Sequence, residues 1–232
     1  MTNRAAVLGL CAALVLAPCF GSAQANNSPN SNMSGQQQNN ASGQQKNNTK
    51  TWSEPDMRRI VKAVRSKILG LSDYDVFDYI TFALQGHTVV LNGYASRPIL
   101  KSEAENVVKG IKGVESVQND IKVLPFSQID DHIRWQTYRR IYSEPSLRQY
   151  TNSPVGFGRA PSVALAAGGI TNDPPQGYHS IHIIVNNGHV ILEGVVDSQS
   201  DADIADIAAN SVPGVFSVQD SLQVPRQSNK MK

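Results

Sequence analysis

The chain has 232 residues, of which 40% are hydrophobic, and its formal net charge is +2. This length suits one medium-sized domain or two small ones, and the small net charge argues against a strongly basic nucleic-acid-binding protein. Acidic residues outnumber basic ones in residues 126–225, whereas residues 52–125 are nearly neutral and residues 226–232 are basic. We therefore expect anionic ligands to bind to residues 52–125 or to the ends of the chain rather than to residues 126–225.

Residues 1–25 have the layout of a secretory signal peptide. Arg4 is followed by an uncharged apolar run over residues 5–17, and residues 23–25 read Ala-Gln-Ala, a small-x-small cleavage pattern. The apolar run is too short to cross a hydrocarbon core of about 30 Å at about 1.5 Å per helical residue. Export to the periplasm or out of the cell is the expectation.

A lipoprotein signal ending at Cys19 is the alternative, but Pro18 stands where a small residue is usual. Both cysteines of the chain, Cys11 and Cys19, lie in this leader. Cleavage after Ala25 would leave a mature chain without disulfides or a thiol nucleophile.

Residues 26–51 are half Asn and Gln and contain no aromatic residue. This composition predicts a disordered linker, because so little apolar surface cannot offset the entropy lost on folding. A prion-like assembly segment is the alternative that the composition leaves open.

A first domain is predicted over residues 52–125, beginning with a helix that Ser53 caps and Gly70 closes. One apolar stripe runs along this helix, formed by Met57, Ile60, Val61, Val64 and Ile68. The opposite face is basic and carries Arg58, Arg59, Lys62, Arg65 and Lys67. That face is either a solvated surface or a docking surface for a polyanion such as anionic lipid headgroups.

Alternation around Phe77, Tyr79 and Thr81, followed by Val89-Val90-Leu91 after a Gly86-His87 turn, predicts two strands joined by a hairpin. A second helix is expected from about Pro98 to Lys112, capped by Ser96 and ended by Gly113. Its predicted buried side consists of Ile99, Ala104, Val107, Val108 and Ile111. A third strand follows over Val114, Val117, Ile121 and Val123.

A second domain is predicted over residues 126–225, opening with a helix over about residues 130–142. The apolar residues Ile129, Ile133 and Ile141 are expected to share one face of this helix with Phe126 near its start. Three aromatic residues of this helix interleave with arginines: Trp135, Tyr138 and Tyr142 with Arg134, Arg139 and Arg140. Core packing explains the aromatics, and an interface with the first domain or with headgroups is the alternative.

Residues 143–178 interrupt the second domain with an insert rich in Pro, Gly and Ala, which we expect to be mobile with local docking. Two strands then follow around a Gly188-His189 hairpin, and Ser198 or Ser200 caps the last helix. The acidic start of that helix, at Asp201, Asp203 and Asp206, suits the positive end of the helix dipole.

The chain contains the same pattern twice. A shift of 101 positions places Gly93 on Gly194, Ala104 on Ala205 and Gly113-Val114 on Gly214-Val215, and one residue of slack at Thr88 brings Gly86-His87 onto Gly188-His189. The predicted fold class is α+β, with two tandem small α-β-β-α-β units. Each unit is expected to be a three-stranded mixed sheet with two helices on one face.

This order of a glycine after the second strand, an alanine in the helix and a Gly-Val pair before the last strand resembles the BON domain. Both copies show it, at Gly93, Ala104, Gly113, Val114 and Val117, and at Gly194, Ala205, Gly214, Val215 and Val218. The resemblance implies a non-catalytic binding module, often in tandem, of exported bacterial proteins linked to osmotic stress, envelope integrity and phospholipid surfaces. The insert after Ser143 departs from the family pattern.

No motif for catalysis is found, and no cofactor is expected. The sequence lacks a Gly-x-Ser-x-Gly elbow and a phosphate-binding loop. His179 and His182 are three apart, and on a strand this spacing sends the two rings to opposite faces, which argues against a metal site. We expect the protein not to be an enzyme.

Two functions of different class follow. The first is a peripheral envelope module that binds anionic phospholipid through basic helix surface and aromatic anchors, namely Arg58, Arg59, Lys62, Arg65, Trp135, Arg139 and Arg140. The second is a protein-interaction adaptor that presents the insert to a partner. The oligomeric state is left open by the sequence.

Overall fold

The structure is a computed structural model, and it describes residues 52–152, 169 and 173–225. The predicted signal peptide, the Asn- and Gln-rich linker, the basic tail and most of the predicted insert lie outside the described residues. Within them, two α/β units follow one another along the chain, as the repeat predicted.

The first unit contains two helices and a mixed sheet. Its elements are α1 (Glu54–Leu69), β1 (Tyr79–Gln85), β2 (Thr88–Ala95), α2 (Pro98–Lys109), β3 (Ser116–Asn119) and β4 (Lys122–Val123). Strand β2 pairs antiparallel with β1 and parallel with both β3 and β4. The last two strands are halves of the single predicted third strand, which is interrupted at Asp120 and the buried Ile121.

The second unit repeats this order and adds a short 3₁₀ helix. Its elements are α3 (Gln128–Ser143), the 3₁₀ helix (Leu147–Tyr150), β5 (Ile181–Asn186), β6 (His189–Val195), α4 (Gln199–Asn210) and β7 (Ser217–Gln223). Strand β6 pairs antiparallel with β5 and parallel with β7. The predicted α+β class with two units of mixed sheet is therefore confirmed.

The predicted apolar stripe of α1 is confirmed, because Ile60, Val64 and Ile68 are buried in the first core. The prediction for α2 was wrong in two respects. Leu100 lies in the core where Ile99 was expected, since the helix presents Leu100, Ala104 and Val108 as its i, i+4, i+8 stripe. The helix also ends at Lys109 rather than Lys112.

The caps of α2 differ from the prediction as well. Arg97, not Ser96, is the N-cap, because the backbone amide of Ser96 donates to Asp78 Oδ1 at 2.6 Å. At the other end Gly110 is the C-cap, and Gly113 instead takes the turn before β3 with φ of +98°. This positive φ still explains why a glycine stands at position 113.

The strand register corrects the alignment of the two hairpins. Gln85 pairs with Thr88 and Asn186 with His189, so Gly86-His87 corresponds to Asn187-Gly188 without any slack. Thr88 and His189 are the matching residues, and each side chain contacts a serine on the parallel neighbouring strand, Ser116 at 2.6 Å or Ser217 at 2.7 Å. The two histidines of the hairpins are therefore not equivalent.

The loop before β1 joins the two units. Val76 and Phe77 are fully buried in the core of the second unit, and Phe77 meets the Tyr138 ring edge-on at 6.4 Å between centroids. The Ile183 amide donates to the Val76 carbonyl at 2.8 Å, which ties the loop to the outer edge of β5. A segment of the first unit thus completes the second.

Two buried carboxylates hold this loop in shape. Asp75 Oδ1 accepts from the Phe77 amide at 2.7 Å, and Asp78 Oδ2 accepts from the Asp75 amide at 3.0 Å. Arg97 lies 3.6 Å from the other Asp75 oxygen. Burial raises the pKa of both aspartates, for Asp75 further through its proximity to Asp78. The cluster fixes the loop so that Val76 and Phe77 leave the first unit and enter the core of the second.

The sheet faces that lie away from the helices also meet. Tyr79 and Leu124 of the first unit pack with the fully buried Ile184 of the second. The His182 ring lies 5.4 Å from the Tyr79 ring and 5.7 Å from the Tyr74 ring, measured between centroids. The two units therefore share a buried, mainly apolar interface.

Candidate functional site

The predicted basic residues lie along the exposed side of α1, but two of them have acidic partners. Arg58 Nε lies 3.8 Å from a Glu54 oxygen, and Arg59 Nη2 lies 3.2 Å from Asp56. Arg59 also donates to the carbonyl of Lys112 at 2.9 Å, which ties α1 to the turn that follows α2. Its positive charge is therefore partly compensated and its position fixed.

Lys62 and Arg65 carry the uncompensated charge of this face. Lys62 is exposed and Arg65 half-buried, and among the described residues neither has an ion-pair or hydrogen-bond partner. The Asp56 pKa is lowered, first by the Ser53 hydroxyl and then by Arg59, so this carboxylate stays ionised and keeps Arg59 occupied. Uncompensated positive charge on α1 is thus carried by Lys62 and Arg65, and by Lys67 in the last turn, which is exposed and likewise has no partner among the described residues.

The residues predicted on α3 form a stack rather than a set of free anchors. The Trp135 ring is parallel to that of Tyr138 at 6.0 Å, and the Arg139 guanidinium covers Trp135 at 5.7 Å from the ring centroid. Arg140 is held elsewhere, since its Nε donates to Ser211 Oγ at 2.9 Å. The structure brings Trp135 and Arg139 together, but it shows no contact between them and the basic residues of α1.

An exposed apolar end of the second unit was missed by the sequence analysis. Phe126 is 71% exposed, Ile129 73% and Phe216 78%. Of the apolar face predicted at the start of α3, Ile133 is buried, whereas Phe126 and Ile129 are exposed. The stripe runs past the end of the sheet, because α3 begins at Gln128, beside the turn between β5 and β6.

Hydrogen bonds fix this exposed apolar end. Asp130 accepts the amides of Asn187 and Gly188, both at 2.8 Å. The Phe216 amide donates to the Gly188 carbonyl at 2.9 Å, and the Phe216 ring lies so close to Gly188 that a Cβ there would come within 2.5 Å of it. Phe216 thus lies against this hairpin turn, Ile129 directly precedes the aspartate that binds it, and Phe126 stands two residues before the start of α3; we call these three residues the apolar end.

The same end of the first unit is closed by a tryptophan. Trp52 precedes the N-cap of α1 as Phe126 precedes that of α3, and it is buried. Its Nε1 donates to the Gly113 carbonyl at 2.7 Å and its ring stacks on His87 at 5.2 Å. The apolar end is therefore a feature of the second unit only.

His182 in β5 and His179, two residues before this strand, lie on opposite faces of the sheet, as their spacing predicted. His179 packs edge-on against Tyr138 and Tyr142 on the helix side, and His182 faces the first unit. Burial lowers the pKa of each to about 4, so both are neutral near pH 7. Over the described ranges, no three His, Cys, Asp or Glu side chains are grouped as metal ligands.

Glu193 stands opposite His182 in the β5–β6 register, and burial raises its pKa to about 7 from an ordinary 4.5. The folded chain then holds this proton more tightly than the unfolded chain, so stability is lost as the pH rises from about 4.5 to 7. Glu193→Gln is expected to exceed the wild type in free energy of unfolding by about 1 kcal/mol at pH 8, a value reduced because the side chain is only half-buried.

The comparison uses urea unfolding of both proteins at pH 4 and pH 8. At pH 4 the difference is expected to vanish, because Glu193 is then protonated in the folded and unfolded chains alike. The His182 contribution is present in both proteins and cancels in the difference. An equal advantage for Glu193→Gln at both pH values would contradict the assignment.

None of the helices in residues 52–152 and 173–225 is long and apolar enough to cross a membrane.

Comparison with known proteins finds two matches to one domain family. The family described as BON domain matches residues 56–125 and 169–226, together more than half of the chain. The chain is also 26% identical over 211 residues to osmotically-inducible protein Y of Escherichia coli (strain K12), covering 90% of this chain and 91% of that protein.

Among solved structures, the chain is similar to two of CdsD, a structural protein of the type III secretion system of Chlamydia trachomatis. For the C-terminal domain the identity is 14% and the TM-score 0.23, covering 72% of this chain and 97% of that chain. For the second structure the identity is 15% and the TM-score 0.23, with 72% and 92% covered.

Proposed function

This chain belongs to the BON-domain family, and from that premise we propose that it is a non-catalytic, exported module that associates with anionic phospholipid at the cell envelope. Its likeness to osmotically-inducible protein Y supports a role in maintaining the envelope under osmotic stress. The leader-like residues 1–25 support export to the periplasm or beyond.

The observation that carries the lipid proposal is the uncompensated positive charge on α1. Lys62 and Arg65 lack partners among the described residues, and Arg58 is only loosely paired at 3.8 Å. Each such cation near an anionic membrane surface contributes about 1 kcal/mol of binding free energy. The apolar end supports the proposal, because a peripheral protein gains further affinity by burying exposed aromatic and aliphatic side chains at the headgroup level.

Co-sedimentation of the protein with liposomes tests the proposal. Binding is expected to vesicles of phosphatidylglycerol and phosphatidylcholine, but not to phosphatidylcholine alone. It should weaken from low to moderate salt, because charges further apart than about 10 Å are screened at 0.1 M. Absence of binding to anionic vesicles at low salt would refute the lipid proposal.

Charge reversal at Lys62 is expected to weaken binding to the anionic vesicles about tenfold or more. The change removes one favourable charge and adds an unfavourable one, about 2 kcal/mol in total near the surface. Lys109→Glu is the matched control, since it makes the same change in net charge on α2, at a lysine that is already paired with Glu105. Equal losses in the two variants would show that net charge, and not the α1 face, drives binding.

The adaptor role remains a prediction, because most of residues 143–178 lie outside the described part of the chain. Deleting residues 152–176 tests it: lipid binding should persist while capture of a protein partner is lost.

A further inference from the structure

The outer edge of β5, the side away from β6, has its backbone groups satisfied by other parts of the chain. Three hydrogen bonds of 2.7–2.8 Å do this: Tyr142 hydroxyl to Ile181 carbonyl, Ile183 amide to Val76 carbonyl, and Arg134 Nη2 to Val185 carbonyl. The groove between α3 and this edge is filled by Phe77. The second unit thus accepts, at this edge, a turn that belongs to the first unit, formed by Val76 and Phe77.

The matching edge in the first unit is the outer edge of β1. Because Gln85 and Thr88 close a two-residue hairpin, the alternation of hydrogen bonds directs the amides and carbonyls of Ile80, Phe82 and Leu84 away from β2. The backbone of Ile80 lies beside the Tyr74 hydroxyl. In the described part of the chain, no hydrogen bond reaches the outward groups of Phe82 and Leu84.

The difference between the two edges has a simple cause in the sequence. Counted from their N-caps, Ser53 and Ser127, the positions of Arg134 and Tyr142 in α3 correspond to Ile60 and Ile68 in α1. Isoleucine cannot donate a hydrogen bond to the strand, whereas arginine and tyrosine can. Helix α1 therefore packs on the sheet without satisfying its edge.

The side of α1 that overlooks this edge combines apolar and basic residues. Arg59 fixes the other side of the helix to Lys112, in the turn that follows α2. Helical periodicity then places Val61, Arg65 and Arg58 on the side toward β1. Val61 and Leu84 are half-buried, and Arg65 has no partner among the described residues. Val61 and Leu84 thus form a half-exposed apolar strip flanked by the two arginines. The strip lies beside the backbone amides and carbonyls of β1 that have no hydrogen-bond partner among the described residues.

We propose that the outer edge of β1 is a docking site for an extended, acidic segment of a partner protein. The segment would add a strand beside Phe82 and Leu84, place an apolar side chain over Val61 and Leu84, and pair its carboxylates with Arg65 and Arg58.

The chain's own loop over residues 73–78 is the precedent. It carries three aspartates with Val76 and Phe77 between them, and from the turn at these two residues it accepts one backbone hydrogen bond from the equivalent edge of β5. A second copy of this chain is a poorer occupant, because pairing β1 with β1 would bring the basic sides of two α1 helices together.

The test uses the full chain and a synthetic peptide with the sequence of residues 72–78, Ser-Asp-Tyr-Asp-Val-Phe-Asp. Amide hydrogen exchange is followed with and without the peptide. The Phe82 and Leu84 amides are expected to exchange fast in the free chain and to become protected by the peptide, while the Ile183 amide is protected throughout. No gain of protection at Phe82 and Leu84 overturns the proposal. Their protection without peptide, rising with chain concentration, overturns it in favour of a second copy.

Two substitutions measure the contribution of each part by fluorescence anisotropy of the labelled peptide. Leu84→Pro removes an outward amide that the β1–β2 ladder does not use, and is expected to weaken binding about three- to tenfold. Arg65→Glu should weaken it at least as much, and Lys67→Glu, on the opposite side of α1, should not. Unchanged affinity in both Leu84→Pro and Arg65→Glu contradicts the site. Leu84→Pro leaves the charge of α1 intact and should not alter liposome binding. Its effect on peptide affinity therefore tests the docking site independently of the lipid proposal.

Discussion

Replacing Phe77 with alanine is expected to lower the free energy of unfolding of the second unit by about 3–5 kcal/mol, the usual cost of removing a buried phenylalanine. The residue belongs to the first unit in sequence but is fully buried among Tyr138 and its neighbours in the second. The substitution leaves a cavity at the junction and removes an apolar contact between the two units, so we expect their unfolding to be less strongly coupled.

The chain offers a reporter and a control for this prediction. It has two tryptophans, Trp52 in the first unit and Trp135 in the second, so a Trp52→Phe background makes fluorescence report the second unit during urea unfolding. Phe216→Ala makes the same chemical change at a side chain that is 78% exposed, and should cost less than about 0.5 kcal/mol. Similar losses for the two variants would mean that Phe77 does not hold the units together.

The sequence predicted correctly what depends on local pattern. The stripe of α1 and the repeated order of helix and strands follow from spacing within a few residues, and the structure shows both. The position of Phe77 could not be predicted in this way. Its alternation with Tyr79 and Thr81 suggested a strand, yet β1 starts only at Tyr79 because Phe77 packs against a helix about 60 residues further along the chain.

The same limit applies to the candidate site. The sequence predicted a basic exposed face on α1, and Arg58, Arg59 and Lys62 are exposed there. It could not show that Arg59 bonds to Lys112 or that Arg140 bonds to Ser211, because those partners meet only in the folded chain. The apolar end was missed for a related reason: periodicity identifies an apolar stripe but not where the sheet beneath it stops.

Two glycines that the repeat aligned have a stricter role than a turn. Gly93 and Gly194 have φ of +116° and +128°. A Cβ at either would lie 2.0 Å from a backbone carbonyl oxygen, that of Tyr79 in β1 or that of Ser180, directly before β5. No rotamer change relieves a contact with backbone. Alanine at each position combines an unfavourable φ with a backbone shift.

We therefore expect Gly93→Ala and Gly194→Ala each to destabilise its own unit by about 3 kcal/mol or more, measured by urea unfolding with the tryptophan of that unit as reporter. The two losses should be similar, because the clash distances are the same in both copies. Gly110→Ala is the control: its φ is −73° and the nearest atom to an added Cβ is 3.7 Å away, so it should be almost neutral. Gly93→Ala and Gly194→Ala variants as stable as Gly110→Ala would contradict this prediction. They would show that the strand backbones move apart at little cost in free energy, and that the glycine is shared through ancestry of the repeat and not through a steric requirement.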